Sequence, residues 1–465
     1  MTKTLPTTLG ELKNSGYISK PIKSEIRNNL VKKLTQTDNV FPNIIGFQNT
    51  VIPQIQNAIL AGQDIILLGE RGQAKSRIIR NLLDLLDDEI PYVQGSDIND
   101  DPFHPITSFA KNLINEKGDD TPIKWLEKEK RYSEKLATPD VSVSDLIGEI
   151  DPIKIAEGRY LSDELAIHYG MIPRGNRGIF CINELPDLTE RIQVSLFNLM
   201  QERDIQIKGF QIRLPLDMLI VATANPEDYT NRGRIITPLK DRYGAQIRTH
   251  YPSSIEEELT IIEQEYKKFD DSKNSVLVPD FMREIIAEIT HLSRKSPEIN
   301  QGSGVSLRVS IANFETLISQ AFRRTLITKS NTSPRICDLE FLIPSTMGKV
   351  ELETVEEGQE TTIITNIISR SVLNIFNSKF NLELFESLLD QFKNGLLVET
   401  GPEIPDAEYI KEIEKITGLS ELLIKFSDSK ENSIKVSMFE FILEGLYLSK
   451  KLNKNINKDS ETYSV

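Results

Sequence analysis

The sequence predicts an α/β fold in which a central parallel sheet precedes a mainly helical second half. Between residues 43 and 253, short apolar runs alternate with helical patterns, as in parallel sheets covered by helices. From Ser254 onward, apolar residues recur at helical spacing, for example in IEEELTIIEQEY. Polar side chains suited to chemistry follow directly after the apolar runs, where open α/β sheets bind their ligands.

These patterns divide the chain into four predicted regions. An N-terminal helical segment, with a helix over 20–34, precedes the α/β domain, and a helical lid follows that domain. The last region is mainly helical, and its polar final residues, 453–465, are expected to fray. The predicted regions are 1–42, 43–253, 254–326 and 327–465.

Five segments are the predicted strands of the central sheet. Most are short runs rich in apolar residues, as expected for strands that are buried on both faces. Cys181 lies inside one run and is interpreted as an inert core residue. The predicted strands are Ile65–Leu68, Tyr92–Gln94, Gly178–Ile182, Met218–Ala224 and Gln246–Thr249.

Composition restricts the class of protein. The 465 residues are 39% hydrophobic and 27% charged, which is typical of a soluble protein with roughly two to four units. Two cysteines indicate no disulfide framework and favour a reducing cytoplasm. We find no apolar signal region and no apolar stretch long enough to span a bilayer, so membrane insertion is not expected. The net charge of −14 argues against a general nucleic-acid binder.

The most informative segment is IILLGERGQAKS, residues 65–76, in which an apolar strand leads into a glycine-containing loop ending in Lys-Ser. A helical pattern follows, so the loop lies at a helix N-terminus, where free N–H groups favour phosphate. In this interpretation Lys75 reaches the terminal phosphates and the Ser76 hydroxyl binds Mg²⁺. The residues predicted to contact the nucleotide are Gly69, Glu70, Arg71, Gly72, Gln73, Ala74, Lys75 and Ser76.

This loop departs from the strict phosphate-loop pattern by one residue. Ala74 stands where the pattern has its second glycine, and Gly72 is an additional glycine. The alternative interpretation is a strand-to-helix turn in which Lys75 is an ordinary solvated lysine.

A second chemical element follows the strand GIFCI and consists of Asn183 and Glu184. A carboxylate at a strand end can accept a proton from the water that attacks the γ-phosphate, so Glu184 is the predicted general base. Asn183 occupies the position of the usual magnesium-associated aspartate and offers an oxygen without a charge. Alternatively, Glu184 is only a helix-start carboxylate that the helix dipole stabilises.

A third element is the amide of Asn225, which follows the strand LIVATA. It is predicted to hold the attacking water or to contact the γ-phosphate, although Asn-Pro is also an ordinary turn. The order of phosphate loop, acidic strand end and amide strand end gives this interpretation its weight.

Together, residues 43–326 resemble an AAA+ ATPase module of the branch that holds the magnesium chelatase ATPase subunit and the MoxR-type ATPases. The phosphate loop with alanine before lysine is similar, as is the segment RGNRGI, residues 174–179, that leads into the Glu184 strand. LKDRY, residues 239–243, resembles the Leu-Leu-Asp-Arg-Phe motif of that branch. The resemblance implies a P-loop AAA+ module with a helical lid that uses ATP and Mg²⁺.

The resemblance also implies roles for three arginines. Arg242, with help from Arg174, would reach the nucleotide of a neighbouring subunit as an arginine finger, and Arg308 would be the lid arginine called sensor 2. Arg232 and Arg234 are rival candidates for the finger. Alternatively, Arg242 pairs with a nearby acid such as Asp241, and Arg308 is a solvated helix residue.

Two further segments correspond to features of that branch. Residues 203–214, RDIQIKGFQIRL, alternate around Lys208-Gly209 as a hairpin does, and the resemblance implies a hairpin that faces a ring pore. Residues 145–152, followed by 158–169, match the segment where the branch carries an inserted helix.

The function expected from the resemblance is an ATP-driven remodelling or chaperone motor. It would form a ring, with a hexamer expected, and act with a partner that carries a von Willebrand factor A-type domain. The alternative is an ATP-binding assembly switch that hydrolyses slowly because of Asn183. An enhancer-binding transcription activator is disfavoured, since we find no Gly-Ala-Phe-Thr-Gly-Ala loop and no C-terminal helix-turn-helix.

Overall fold

The computed structural model contains a central sheet of five parallel strands in the first of its two units. The units are Met1–His250 and Tyr251–Val465. The finer division into four regions stays a prediction. The residues that the structure describes are 5–37, 39–151, 153, 156, 164–206, 213–225, 233–267, 276–329, 332–353, 358–426, 431–456 and 460–465.

The strands of the central sheet are β1 (Ile65–Leu68), β2 (Tyr132–Leu136), β3 (Gly178–Asn183), β4 (Met218–Ala224) and β5 (Ala245–Arg248). Their order across the sheet is β5-β1-β4-β3-β2, and all its pairs are parallel. Strand β4 pairs with β1 on one side and with β3 on the other, so the ends of these three strands lie side by side. The α/β fold predicted from the sequence is therefore confirmed.

One predicted strand of this sheet is wrong. Tyr92–Gln94 falls on the strand Glu89–Val93, which pairs antiparallel with Ile123–Glu127 in a separate two-stranded sheet. The fifth position belongs to β2, whose sequence YSEKL contains no apolar run. Among the described residues β2 is an edge strand that is partly exposed, so its sequence need not be hydrophobic.

The core of the first unit lies on both faces of the sheet. Alternate residues of a strand point to opposite faces, so Ile66 and Leu68 pack in one apolar cluster while Ile65 and Leu67 pack in another. Strand β3 divides in the same way, with Phe180 and Ile182 in the first cluster and Cys181 in the second. Cys181 is fully buried, as predicted.

The described residues of the first unit also form helices and two small β-hairpins. One hairpin pairs Asp204–Gln206 with Arg213–Pro215, as predicted from the alternating pattern, while its turn lies outside the described residues. The other pairs Gly148–Ile150 with Ile167–Tyr169 in the segment predicted to hold an inserted helix, of which residues 152 and 158–163 lie outside the described residues. The α-helices are Leu9–Asn14, Ile22–Gln36, Val51–Leu60, Lys75–Asn81, Ser108–Lys117, Val143–Leu146, Met171–Arg174, Glu190–Ser195, Phe197–Gln201 and Thr237–Arg242, and the 3₁₀ helices are Leu82–Leu85, Gly118–Asp120, Lys128–Arg131, Glu164–Ala166 and Leu185–Asp187.

The second unit is mainly helical, and its first three helices follow the predicted patterns. The first begins where the Ser254 hydroxyl accepts the Glu257 N–H at 3.2 Å, a standard N-terminal cap. Phe281 and Phe441 stack in its core with ring centroids 4.4 Å apart. The α-helices are Ile255–Glu265, Asp280–Ser293, Arg308–Thr328, Ile343–Met347, Gln359–Lys379, Glu386–Lys393, Asp406–Lys415, Leu419–Phe426 and Asn432–Leu448, and the 3₁₀ helices are Ile336–Leu342 and Leu382–Phe385.

The prediction that the C-terminal residues fray is wrong for the two segments that form strands. Asn453–Ile456 and Glu461–Ser464 form a three-stranded antiparallel sheet with Val398–Thr400. Tyr463 is buried there and its hydroxyl donates to the Glu444 carboxylate at 2.5 Å. In the part of the chain that the structure describes, no helix combines the length and the apolar character that crossing a bilayer requires.

Candidate nucleotide site

The predicted phosphate loop connects β1 to the helix Lys75–Asn81. Gly72 and Ala74 adopt left-handed conformations, with φ of 76° and 54°. Glycine adopts this conformation freely, whereas alanine at such a φ is strained. The substitution of alanine for the second glycine therefore keeps the loop's backbone path at a conformational cost.

Lys75 is almost completely buried within this loop. Its ammonium group donates to the carbonyl of Gly69 and, at 2.8 Å, to that of Glu70. A solvated lysine in the first turn of a helix would have neither property. The alternative interpretation, in which Lys75 is an ordinary solvated lysine, therefore does not describe this side chain.

Gln73 fixes the loop to the neighbouring strand end. Its side-chain oxygen accepts the Glu70 N–H at 3.1 Å and the Thr249 hydroxyl at 2.8 Å. Thr249 itself follows β5 and donates its N–H to the carbonyl of Leu68 at 2.8 Å. The contact leaves no space beside Gly69, where a Cβ atom would collide with Thr249 and Gln73. Sequence reasoning missed the role of Thr249.

Asn183 lies at the end of β3 with its side chain held on both sides. Its Oδ1 accepts the Thr223 hydroxyl of β4 at 3.2 Å, and its Nδ2 donates to the Glu134 carboxylate of β2. Asn183 is 8% exposed, so these bonds lie in a largely water-free environment. The amide is thus fixed between two strands at the edge where the phosphate loop begins.

Glu184 has a backbone conformation that non-glycine residues seldom adopt. Its φ is 55° and its ψ is 51°, the left-handed region, and its N–H donates to the Thr223 hydroxyl at 3.0 Å. Strain of this kind at a strand end is a common sign of a functional position. It turns the chain sharply from β3 into the helical turn Leu185–Asp187.

Glu134 is a second carboxylate, in contact with the Asn183 side chain, that sequence reasoning missed. It lies on the unpredicted strand β2 and, besides Asn183, contacts the Tyr132 hydroxyl at 2.9 Å and Arg80 Nη2 at 3.1 Å. Glu134 is partly buried. No local motif marks this glutamate, because only the pairing of β2 with β3 brings it to Asn183.

Asn225 comes directly after β4 and is 2% exposed. Since β4 lies between β1 and β3, Asn225 belongs to the same edge of the sheet as the phosphate loop and Glu184. The structure thus brings together three of the predicted elements, each at the carboxyl end of a parallel strand.

The predicted finger arginine, Arg242, contacts its own chain. Its guanidinium donates to the Pro238 carbonyl at 2.6 Å and to Gln201 at 2.7 Å, and it lies 4.6 Å from the ring centroid of Phe197. Arg234 is exposed and lies 3.9 Å from Glu190, while Arg232 lies outside the described residues. The pairing of Arg242 with Asp241, one of the alternatives, is not among these contacts.

The remaining two predicted arginines are exposed. Arg174 ends the short helix Met171–Arg174, and its Nη2 lies 3.2 Å from His168 Nε2. Arg308 begins the helix Arg308–Thr328 in the second unit. Both positions leave the guanidinium accessible to another molecule.

The donor set at the sheet edge fits a magnesium nucleotide. A lysine and a loop of backbone N–H groups suit phosphate oxygens, and Ser76, Asn183 and a carboxylate offer the oxygen atoms that Mg²⁺ prefers. The site differs from the usual donor set at Asn183, which carries no charge where an aspartate would.

Comparison with curated proteins finds relatives that include magnesium-chelatase subunits. No family model matches the chain. The chain is 27% identical over 391 residues to the magnesium-chelatase subunit ChlI of a Nostoc species, covering 78% of this chain and 95% of that protein. It is 28% identical over 364 residues to the same subunit of Anabaena variabilis, covering 72% and 98%.

Among solved structures, similarity is found to a complex between subunits BchI and BchD of magnesium chelatase. Identity is 20%, the TM-score is 0.36, and the match covers 69% of this chain and 97% of that one. The strand order and the phosphate loop of the chain itself carry its fold assignment.

Proposed function

We propose, from the premise that this chain belongs to the AAA+ family and is related to subunit ChlI of magnesium chelatase, that it is a Mg-ATP-dependent ATPase. The observation that carries the proposal is the shared edge of β1, β4 and β3, where Lys75, Ser76, Asn225 and Glu184 follow three adjacent parallel strands. Phosphate binding and water activation need these side chains at one place.

Each side chain has a defined part in this proposal. Lys75 leaves the loop carbonyls and donates to the terminal phosphates, while the backbone N–H groups of residues 69–76 hold the remaining phosphate oxygens. Bound Mg²⁺ supplies charge neutralisation at the phosphates. Glu184 accepts the proton of the attacking water, and Asn225 orients that water.

The arginines extend the site to a neighbouring subunit. Arg242, helped by Arg174, donates to developing phosphate charge across a subunit boundary, and Arg308 is the lid arginine. For Arg242 this requires exchange of its bonds to Pro238 and Gln201 for bonds to phosphate. A shared site of this kind requires a ring-forming oligomer, and we propose a hexamer.

The motor is proposed to work on a partner protein in the cytoplasm, in a magnesium chelatase subunit I-like or MoxR-like manner. The names of the relatives support a partner, because they denote one subunit of a larger enzyme. A protein with a von Willebrand factor A-type domain is the partner we propose.

Steady-state ATP hydrolysis measured over a range of protein concentrations tests this function. Turnover per subunit is expected to rise with concentration. Lys75→Ala is expected to abolish nucleotide binding, while Glu184→Gln binds ATP and loses roughly 10²- to 10⁴-fold in turnover. Arg242→Ala is expected to lose turnover while keeping affinity. Lys13→Ala, which removes an exposed lysine 2.6 Å from Asp119, is the matched control.

Asn183 favours a second candidate, an ATP-dependent assembly switch with little hydrolysis. In that case wild type binds Mg-ATP but turns over no faster than Glu184→Gln, and nucleotide changes only the sedimentation of the oligomer. Equal turnover of wild type and Glu184→Gln would overturn the motor proposal and support the switch.

A further inference from the structure

We propose that Glu134 supplies the negative charge that Asn183 lacks, so that the Mg²⁺ of bound Mg-ATP is stabilised by an amide and a carboxylate from two neighbouring strands. This inference rests on the proposed function, since it concerns the metal that accompanies ATP. It makes Glu134 a residue of the nucleotide site that acts through the water shell of the metal.

The first support is the orientation of the Asn183 amide. Its Oδ1 faces the Thr223 hydroxyl and its Nδ2 faces the Glu134 carboxylate, so the hydrogen-bond network defines which end is which. An aspartate at this position could not donate to Glu134. The amide of Asn183 and the carboxylate of Glu134 therefore suit each other as donor and acceptor. The carboxylate lies on β2, the strand next to the one that carries Asn183.

The second support is the position of Glu134 relative to the phosphate loop. Arg80 lies four residues after Ser76 on the helix Lys75–Asn81, so the two side chains share one face of that helix. Arg80 Nη2 lies 3.1 Å from Glu134 Oε2. Glu134 therefore faces the side of the helix that presents the proposed Mg²⁺ ligand. Because Mg²⁺ usually keeps several waters, a carboxylate on this side of the helix would act on the metal through its water shell.

The third support is the balance of charge around Glu134. Arg80 forms an ion pair with Glu134, but the Arg80 side chain is 63% exposed and can move into water. The Tyr132 hydroxyl holds the other contact to Glu134 Oε2 at 2.9 Å and carries no charge. Mg²⁺ can therefore replace Arg80 as the counter-ion while Tyr132 and Asn183 keep the carboxylate in place.

Equilibrium binding of mant-ATP, a fluorescent ATP analogue, to the full chain tests the inference. The readout is the ratio of affinity in Mg²⁺ to affinity in EDTA, which isolates the metal from the nucleotide. Glu134→Gln is expected to lower this ratio roughly 10- to 100-fold, the usual effect of losing an outer partner of a metal site, and to leave the affinity in EDTA unchanged.

A charge-relocation variant makes the test specific. In Glu134→Gln/Asn183→Asp the carboxylate returns to the strand end, and the ratio is expected to recover. Arg80→Ala removes the competing cation and is expected to raise the ratio. Glu127→Gln, which removes an exposed carboxylate 3.0 Å from Lys130, is the matched control and should equal wild type.

Each outcome decides a separate point. A Glu134→Gln ratio equal to wild type, or no recovery in the double variant, overturns the inference and leaves the ATPase proposal intact. Absence of mant-ATP binding by wild type overturns both. If Glu134→Gln does not fold, as judged by circular dichroism, Arg80→Ala decides alone, and an unchanged or lower ratio overturns the inference.

Discussion

The hydroxyl of Thr223 accepts the backbone N–H of Glu184 at 3.0 Å. The same hydroxyl donates to Asn183 Oδ1 at 3.2 Å, so one buried side chain of β4 positions both Asn183, the last residue of β3, and Glu184, which follows it. Threonine provides a donor and an acceptor in one group, which valine of the same shape cannot do.

Thr223→Val is therefore expected to impair turnover more than binding. Losing the hydroxyl frees the strained Glu184 backbone, and a small displacement of a catalytic group can cost roughly 100-fold in rate. Steady-state hydrolysis and mant-ATP affinity should separate, with affinity nearly unchanged. Thr223→Ser retains the hydroxyl and should behave like wild type. Equal turnover in the valine variant would contradict the positioning role.

Asn183→Asp by itself is expected to reduce both stability and turnover. The new carboxylate would face Glu134 in a largely buried place, where like charges repel. The cost should be roughly 1–3 kcal/mol in the free energy of unfolding, measured with urea. A marked rise in turnover would instead support the assembly switch, in which the missing aspartate limits hydrolysis.

Arg131→Met is expected to destabilise the chain strongly. Arg131 makes two bonds to Glu25, at 2.7 and 2.6 Å, and both side chains are almost fully buried. Breaking such a pair leaves one buried charge and costs about 3–5 kcal/mol. Urea unfolding followed by circular dichroism measures the loss.

Two further variants define the cause of that loss. Lys13→Met breaks the exposed pair with Asp119 and should cost at most about 1 kcal/mol. Arg131→Met/Glu25→Leu removes both charges and should regain part of the stability. A double variant no more stable than Arg131→Met would show that packing, and not the uncompensated charge, causes the loss.

The folded chain is expected to lose stability in acid because the pKa of Glu258 is lowered. Burial raises the pKa of this carboxyl, but contacts with His291 at 3.4 Å and Arg294 at 2.7 Å outweigh burial, and the net pKa lies below 4.5. A depressed folded pKa contributes stability above the unfolded value of 4.5, and this contribution is lost as the pH falls through the folded pKa.

The comparison of wild type with Glu258→Gln between pH 6 and pH 3 measures this contribution. The difference in unfolding free energy should be largest at pH 6 and should shrink below pH 4.5. A difference that stays constant with pH would show that Glu258 acts by packing and hydrogen bonding only.

Strands buried on both faces could be predicted from the sequence because burial demands apolar residues. Ile65–Leu68 and Met218–Ala224 agree with the prediction residue for residue, and Gly178–Ile182 differs from its strand by one residue. Tyr132–Leu136 could not be predicted, since an edge strand tolerates polar side chains. The C-terminal sheet was missed for a related reason, because few side chains in its strands are buried.

The residues of the candidate site likewise include some that could be predicted from the sequence and some that could not. Lys75, Ser76 and Glu184 belong to local patterns, in which a strand leads directly into the functional residue. Glu134 and Thr249 become relevant only through the pairing of distant strands, by Leu136 with Asn183 and by Leu68 with Arg248. Local patterns do not encode such partners.

The buried thiol of Cys181 gives the first unit a built-in reporter of its opening. Cys181 lies in the sheet of the first unit and Cys337 in the second unit. Burial raises the pKa of the Cys181 thiol to about 12, and burial also raises that of Cys337 well above 9.0. Both thiols therefore stay protonated at neutral pH in the folded chain. Cys181 is also fully buried, whereas Cys337 is partly exposed. The rate at which a thiol reagent labels Cys181 therefore reports how often the first unit opens, without any engineered label.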